Sequence, residues 1–266
     1  MKTLLVMLFA LIAFASHGAN FSNVDLPHSQ FMSVTPEVTI ALPASYKQDK
    51  SKHYPVLYLL DAKLNDESVF GMLQRLHSSN GANEHIIVGI ESHDRLNDFA
   101  PTVNKDPRGP VGAGGGADKL LDFIQSELMP TINKNYRTKP HNVIAGHSIA
   151  GLLVIHSFHA RPSLFQGHLA FSPAVWWAAR ETANATKQYM HSNKKVGNFL
   201  YMNIGSEGGE MRQVYDDLSQ TILRNRSTDL VVQLDTFNDE GHDFTMAAGL
   251  YNALRALHQY QQGNNL

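Results

Sequence analysis

A chain of 266 residues, 43% of them hydrophobic, is long enough for one sizeable core, and a single α/β domain commonly fills about 200–250 residues. The formal charge is −2 with acidic and basic residues interspersed, so no basic stripe exists to neutralise phosphates, which argues against nucleic acid as a partner. There is no cysteine, which excludes a disulfide framework, a thiolate metal site, a lipoprotein anchor and a cysteine nucleophile.

The chain opens with Met1-Lys2-Thr3 and an apolar run from Leu4 to Phe14. One cation, a short apolar stretch and small residues after it read as a secretory signal peptide. Ala13-Phe14-Ala15 is an A-x-A site, which puts cleavage after Ala15; cleavage after Ala19 is the alternative, weakened by His17 at the −3 position. The run is too short to span a bilayer, which needs about 20 residues. The expectation is a leader within residues 1–19 and one mature α/β domain over 20–266, free of a membrane anchor, in a bacterial periplasm or the medium.

Val34 to Leu42 alternates as a strand does and ends at Pro43. Pro55 to Leu60 is a continuous apolar run stopped by Asp61, and His85–Ile90, Asn142–Gly146, His168–Phe171, Phe199–Ile204 and Leu230–Phe237 are similar short runs. Such strands are buried on both faces, the mark of a mainly parallel sheet. Helical patterns lie between them at Ala117–Asn133, Ile149–Ala160, Glu210–Asn225 and Phe244–Gln261. The alternation predicts a three-layer α/β sandwich. Ser92 to Gly116, rich in Pro and Gly, has no periodicity, and a loop of that length in a compact domain is usually functional.

Asn142-Val143-Ile144-Ala145-Gly146-His147-Ser148-Ile149-Ala150-Gly151 runs from a buried strand through a sharp turn into an apolar helix. At such an elbow the central residue takes a strained backbone, and the residues two before and two after it must be small. Gly146 and Ala150 satisfy this, although the usual motif has Gly at the second place. Ser148 is therefore the candidate nucleophile, with the amide of Ile149 at the helix N-terminus ready for an oxyanion. A helix-capping serine is the structural alternative.

These residues resemble the GHSxGG of the esterase D and enterochelin-esterase-like branch of the α/β hydrolases. Four further segments agree with that resemblance: Tyr54 to Asp61, Asp98 to Thr102, Ser172-Pro173-Ala174-Val175-Trp176-Trp177, and Glu240-Gly241-His242. The likeness runs from about Thr35 to about Leu257 and implies an α/β-hydrolase fold and carboxylic ester hydrolysis. It leaves the substrate open among simple acyl esters, siderophore lactones and acyl transfer to a sugar.

In this fold the triad follows the order Ser, then Asp or Glu, then His. The base belongs on the loop after the last strand, where His242 lies, and the resemblance places it there too. His147 flanks the nucleophile but is read as pointing elsewhere, and His156, His159 and His258 are read as structural. Family position and chain order put the acid after Ile204: Glu207 is closest to the strand tip, Glu210 is the runner-up at a helix start, and Asp239 and Asp243 compete locally. The resemblance also allows a Ser–His dyad. The second oxyanion donor is expected from the loop Asp61-Ala62-Lys63-Leu64, through the amide of Ala62 or Lys63.

Gly112-Ala113-Gly114-Gly115-Gly116-Ala117 satisfies G-x-G-x-x-A but follows a long loop rather than a strand, so no dinucleotide site is assigned. No cofactor or metal is expected. Trp176 and Trp177 either fill the core or line an acyl or aryl pocket. Arg95 and Asp98 either orient a polar substrate or pin the long loop. The leading functional expectation is a serine carboxylesterase on small acyl or aryl esters. A siderophore trilactone esterase is the alternative, and a catalytically silent binding protein is the alternative of another class.

Overall fold

The computed structural model describes residues 21–107, 109–192 and 197–264; the expected leader lies outside the described residues. Eight strands form one sheet: β1 (Ser22–Asn23), β2 (Glu37–Ala41), β3 (Tyr54–Leu60), β4 (Ile86–Glu91), β5 (Thr138–His147), β6 (Gly167–Phe171), β7 (Phe199–Ile204) and β8 (Val231–Thr236). Their spatial order is β1-β2-β4-β3-β5-β6-β7-β8. β3 to β8 are parallel, whereas β1 and β2 add antiparallel at one edge.

Strand alternation divides the interior into two cores, because successive side chains point to opposite faces. Tyr58, Leu60, Val88, Ile144, Ala170 and Met202 face one core. Leu57, Leu59, Ile87, Val143, Phe171 and Tyr201 face the other. Each fully buried aliphatic or aromatic side chain contributes about 1.5–3 kcal/mol of transfer free energy, so continuous apolar strands are what two covered faces require.

Helices α1 (Ala62–His77) and α8 (Thr245–Gly263) cover the second face. The first is covered by α3 (Ala117–Phe123) and α4 (Met129–Asn135), joined through a π-helical turn at Ile124–Leu128, and by α5 (Ile149–Ala160), α6 (Trp177–Ser192) and α7 (Gly209–Asn225). α5 is apolar all round, and every residue from Ile149 to Phe158 is buried, as a helix enclosed by neighbours must be. The long loop holds a short helix, α2 (Arg95–Phe99), whose Asp94 accepts from the Asn97 amide as an N-cap.

Two elements differ from the sequence expectation. The segment expected as a loop at Asp61–Leu64 is the start of the 16-residue α1, entered through a left-handed Asp61. The segment from the tryptophans to about His191, which reads helical in the sequence, is α6; it contains Ala178, Ala179 and Arg180 at φ of 46°, 56° and 70°, so its regular part starts later.

Candidate active site

Three adjacent strands, β3, β5 and β6, end at the same edge of the sheet, and each is followed by a non-glycine residue in left-handed backbone. These residues are Asp61 (φ 54°), Ser148 (φ 60°) and Ser172 (φ 37°). Each such conformation costs on the order of 1–3 kcal/mol, and strain of this kind gathers where chain direction is dictated by a site. At Ser148 the strain is held by its own backbone: the Ser148 amide donates to Phe171 O at 2.9 Å, and the Ala174 and Leu152 amides both donate to Ser148 O at 2.9 Å. Close approach explains the small residues of the elbow. A Cβ placed on Gly146 would lie 2.7 Å from the backbone carbon and 2.8 Å from the Cβ of Ala150. Ala150 is thus tolerated because Gly146 has no side chain.

A chain of hydrogen bonds begins at Ser148. Its Oγ donates to Nε2 of His242 at 2.9 Å, and Nδ1 of His242 donates to Glu207 Oε1 at 2.8 Å. His242 opens a single 3-10 turn after β8. Glu207 follows β7 and is held from two further sides: Ser172 Oγ donates to Oε1 at 2.6 Å and the Gly205 amide to Oε2 at 2.6 Å. Burial pushes the Glu207 carboxyl up, but the hydrogen bonds from Ser172, His242 and nearby amides outweigh it and hold the group below its ordinary value. The acid is therefore ionised and fixes His242 with its proton on Nδ1, leaving Nε2 free to accept.

Glu210 does lie in the first turn of α7 and pairs with Arg180 at 2.9 Å rather than with His242. Neither Asp239 nor Asp243 occupies the far nitrogen of His242, which Glu207 takes. Of the oxyanion candidates, Ile149 and Ala62 are the first residues of α5 and α1, where an amide has no intrahelical acceptor. The Lys63 amide instead donates to Glu91 Oε2 at 3.1 Å, so the two candidates at the start of α1 are not equivalent.

The pocket candidates also separate. Trp177 is 4% exposed and belongs to the core; its indole N–H donates to Thr102 O at 3.0 Å and thereby fastens the long loop. Trp176 is half-buried beside it, ring centroids 6.2 Å apart. Arg95 is engaged within the protein. Its Nε donates to both Asp61 oxygens at 2.9 and 2.8 Å, and Nη2 reaches His147 O at 3.4 Å, so it pins the left-handed residue after β3 to the end of β5. Asp98 accepts from Ser92 Oγ at 2.5 Å within the loop.

Two residues of the site carry no role in the sequence reading. Ser172 sits inside a segment that the resemblance singles out, and its position at the tip of a buried strand beside that of Glu207 is the signal available. His147 does not point away: its Nε2 donates to the His242 carbonyl at 2.8 Å, and the two rings lie 4.6 Å apart.

A mainly parallel eight-stranded sheet covered on both faces, with a serine at the strand-to-helix turn, is an α/β-hydrolase fold. Residues 29–261 match the family described as "Putative esterase", and the chain belongs to that family. The ferri-bacillibactin esterase BesA of Bacillus subtilis is 32% identical over 235 residues, covering 77% of this chain and 79% of that protein. A siderophore triacetylfusarinine C esterase of Aspergillus fumigatus is 28% identical over 160 residues, 56% of this chain and 53% of its own. The crystal structure of an IroE-like serine hydrolase from Shewanella oneidensis matches with a TM-score of 0.84 at 26% identity, over 90% of this chain and 80% of that one. The protein is an esterase, which sets aside the expectation of a silent binder.

Proposed function

We propose that this protein hydrolyses carboxylic esters through an acyl-enzyme formed on Ser148, with His242 as general base and acid and Glu207 orienting it. The observation that carries the reading is the unbroken path Ser148 Oγ, His242 Nε2, His242 Nδ1, Glu207 Oε1, with steps of 2.9 and 2.8 Å between side chains. Nε2 takes the serine proton as Oγ attacks the ester carbonyl, and Glu207 stabilises the imidazolium. The amides of Ile149 and Ala62 receive the oxyanion, aided by the positive ends of α5 and α1. His242 then protonates the departing alkoxide, and a water activated by the same ring releases the acyl group.

Two substrate readings compete. The first is a small acyl or aryl ester, with Trp176, on the segment after β6, as the residue proposed to line its pocket. The siderophore esterases among its relatives favour the second, an ester of a siderophore backbone. A panel of p-nitrophenyl esters of increasing chain length, run alongside iron-loaded and iron-free trilactone siderophores, separates them by kcat/KM. A fluorophosphonate probe that labels wild type at Ser148 tests the nucleophile. We further propose that residues 1–19 contain a leader directing export, cleaved after Ala15 or Ala19, and that residues 20–266 form one domain without a membrane anchor. Mass spectrometry of the mature N-terminus after expression in a Gram-negative host decides this.

A further inference from the structure

The two ends of the Ser148–His242 pair come from segments far apart in sequence, and something must hold them in register. The loop bearing His242 is tied to the neighbouring acid loop by its Glu240 carbonyl, which accepts from the Ser206 amide at 2.8 Å and Ser206 Oγ at 2.9 Å. Those bonds leave its position relative to β5 unfixed. The link to β5 is His147, the last residue of that strand and the immediate neighbour of the nucleophile. Its Nε2 lies 2.8 Å from the carbonyl oxygen of His242 itself, and the rings are 4.6 Å apart at 43°.

A carbonyl can only accept, so His147 donates from Nε2. Thr245 Oγ1 donates to the same carbonyl at 2.9 Å, but from the next turn of the same segment, so it stiffens the loop without locating it. The His147 carbonyl is in turn fixed by Arg95, itself bound to Asp61. Around the His147 ring stand His242 and Asp243 from the base loop and Arg95 from α2. Burial, then the His242 ring, holds His147 below the ordinary histidine value, so the ring is neutral at neutral pH.

We propose that His147 is a positioning residue for the base: its Nε2–H donated to the His242 carbonyl, with its ring against the His242 ring, sets the distance between His242 Nε2 and Ser148 Oγ. This inference rests on the reading of His242 as the base. It assigns no proton transfer to His147 and predicts that an amide donor at the same place can replace it.

The test uses three variants of the full-length protein. His147→Phe keeps a ring and removes the donor; His147→Met removes both; His147→Gln puts an amide N–H near the position of Nε2. Misplacing a base by about 1 Å can cost on the order of 10²-fold, so Phe and Met variants should lose about 10–100-fold in kcat on p-nitrophenyl acetate, with KM within about twofold. Their rate of fluorophosphonate labelling at Ser148 should fall in parallel, since it reads activation of the serine without product release. The Gln variant should recover to within about threefold of wild type on the same scale. Thermal midpoints recorded for each variant separate packing from positioning. Donor-free variants that fold and label at the wild-type rate overturn the inference, as does a Gln variant no faster than Phe. A wild-type protein that fails to label at Ser148 removes the base reading itself, a distinguishable failure.

Discussion

Histidine serves two opposite purposes in two regions of this molecule. At the carboxyl edge of the sheet, His242 is half-exposed, with one ring nitrogen on a carboxylate and the other on a hydroxyl. Within the layers, His85, His141 and His168 are buried. Both ring nitrogens of His141 lack a hydrogen-bond partner among the described residues. His168 is enclosed by the edges of Phe158 and Phe165, with ring centroids 5.4 and 6.0 Å away. A proton on His242 finds Glu207 waiting and can be returned. A proton on the interior rings finds no carboxylate partner to stabilise it, and burial opposes the charge. The lesson is that a histidine's function is decided by what faces its second nitrogen.

The largest effect should break the first region and spare the second. Ser148→Ala removes the proposed nucleophile from an otherwise intact edge, and ester turnover should fall on the order of 10⁶-fold in kcat. The thermal midpoint should stay within a few degrees of wild type. Retention of a tenth of the activity by the folded variant would sink the assignment of Ser148.

Acid should break the second region. Burial pushes His85 and His141 down to about 4 and His168 to about 3, from 6.5. For His85 the hydrogen bond to the Asn83 carbonyl and for His168 the backbone of Phe199 offset this only in part. The folded protein keeps these rings neutral while the unfolded chain protonates them, so their contribution is complete above pH 6.5 and is lost as pH falls below it. Each ring costs about 1.4 kcal/mol per pH unit in that window. Three of them acting to pH 5 remove about 6 kcal/mol, comparable to the total of a marginal domain. Urea midpoints should hold from pH 7.5 to about 6.5 and fall steadily from there to pH 5, and His168→Leu should flatten that slope by about one proton. An unchanged slope in that variant would show that His168 titrates normally.

Next in size is the carboxylate partner. Glu207→Gln replaces one carboxylate oxygen with an NH2 group, so either the Gly205 amide or both His242 and Ser172 meet N–H instead of oxygen. Loss of the fixed tautomer should lower kcat about 10³–10⁴-fold. Glu210→Gln, which weakens the pair with Arg180 and leaves the His242 contacts untouched, should leave kcat within about twofold. The reverse pattern would return the acid to the start of α7.

Much of this arrangement is written in local sequence. The parallel strands are visible because each is a short unbroken apolar run, and the elbow because Gly146 and Ala150 flank Ser148 at the spacing that close packing demands. Glu207 and His242 are nominated by chain order together with the family resemblance, since each sits on the loop after its strand. What stays hidden depends on long-range contact. α1 is obscured because its sequence, AKLNDESVFGMLQRLH, carries polar residues through its first turns and because Asp61 reads as a turn. The left-handed stretch at Ala178–Arg180 has no glycine to announce it. Trp177 reads equally as core or pocket until its indole is seen to hold Thr102. His147 reads as turned away because strand alternation puts it opposite Ser148, and nothing in the sequence shows that the loop after β8 folds over onto it.

The smallest predicted effect tests whether the edge is tuned as well as assembled. Ser172 Oγ donates to the same Glu207 oxygen that accepts from His242, from a fully buried residue with φ of 37°. Ser172→Ala deletes that donor without changing the demand for a left-handed residue, because alanine carries the same Cβ. The carboxylate keeps His242 and the Gly205 amide, so it stays ionised at neutral pH and the path to Ser148 survives. A hydrogen bond to a charged group is worth about 1.5–3 kcal/mol, shared here between holding the acid in place and keeping it ionised. The expected outcome is a loss of about 3–10-fold in kcat at pH 7.5 with KM unchanged, since nothing in the substrate path is altered. The Glu207 carboxyl should also rise toward its ordinary value, because one of the bonds holding it down is gone. Activity of the variant relative to wild type should therefore fall further as the assay is made more acidic. A constant ratio across the pH range would assign Ser172 to geometry alone, and an unchanged kcat would show that the other two donors suffice.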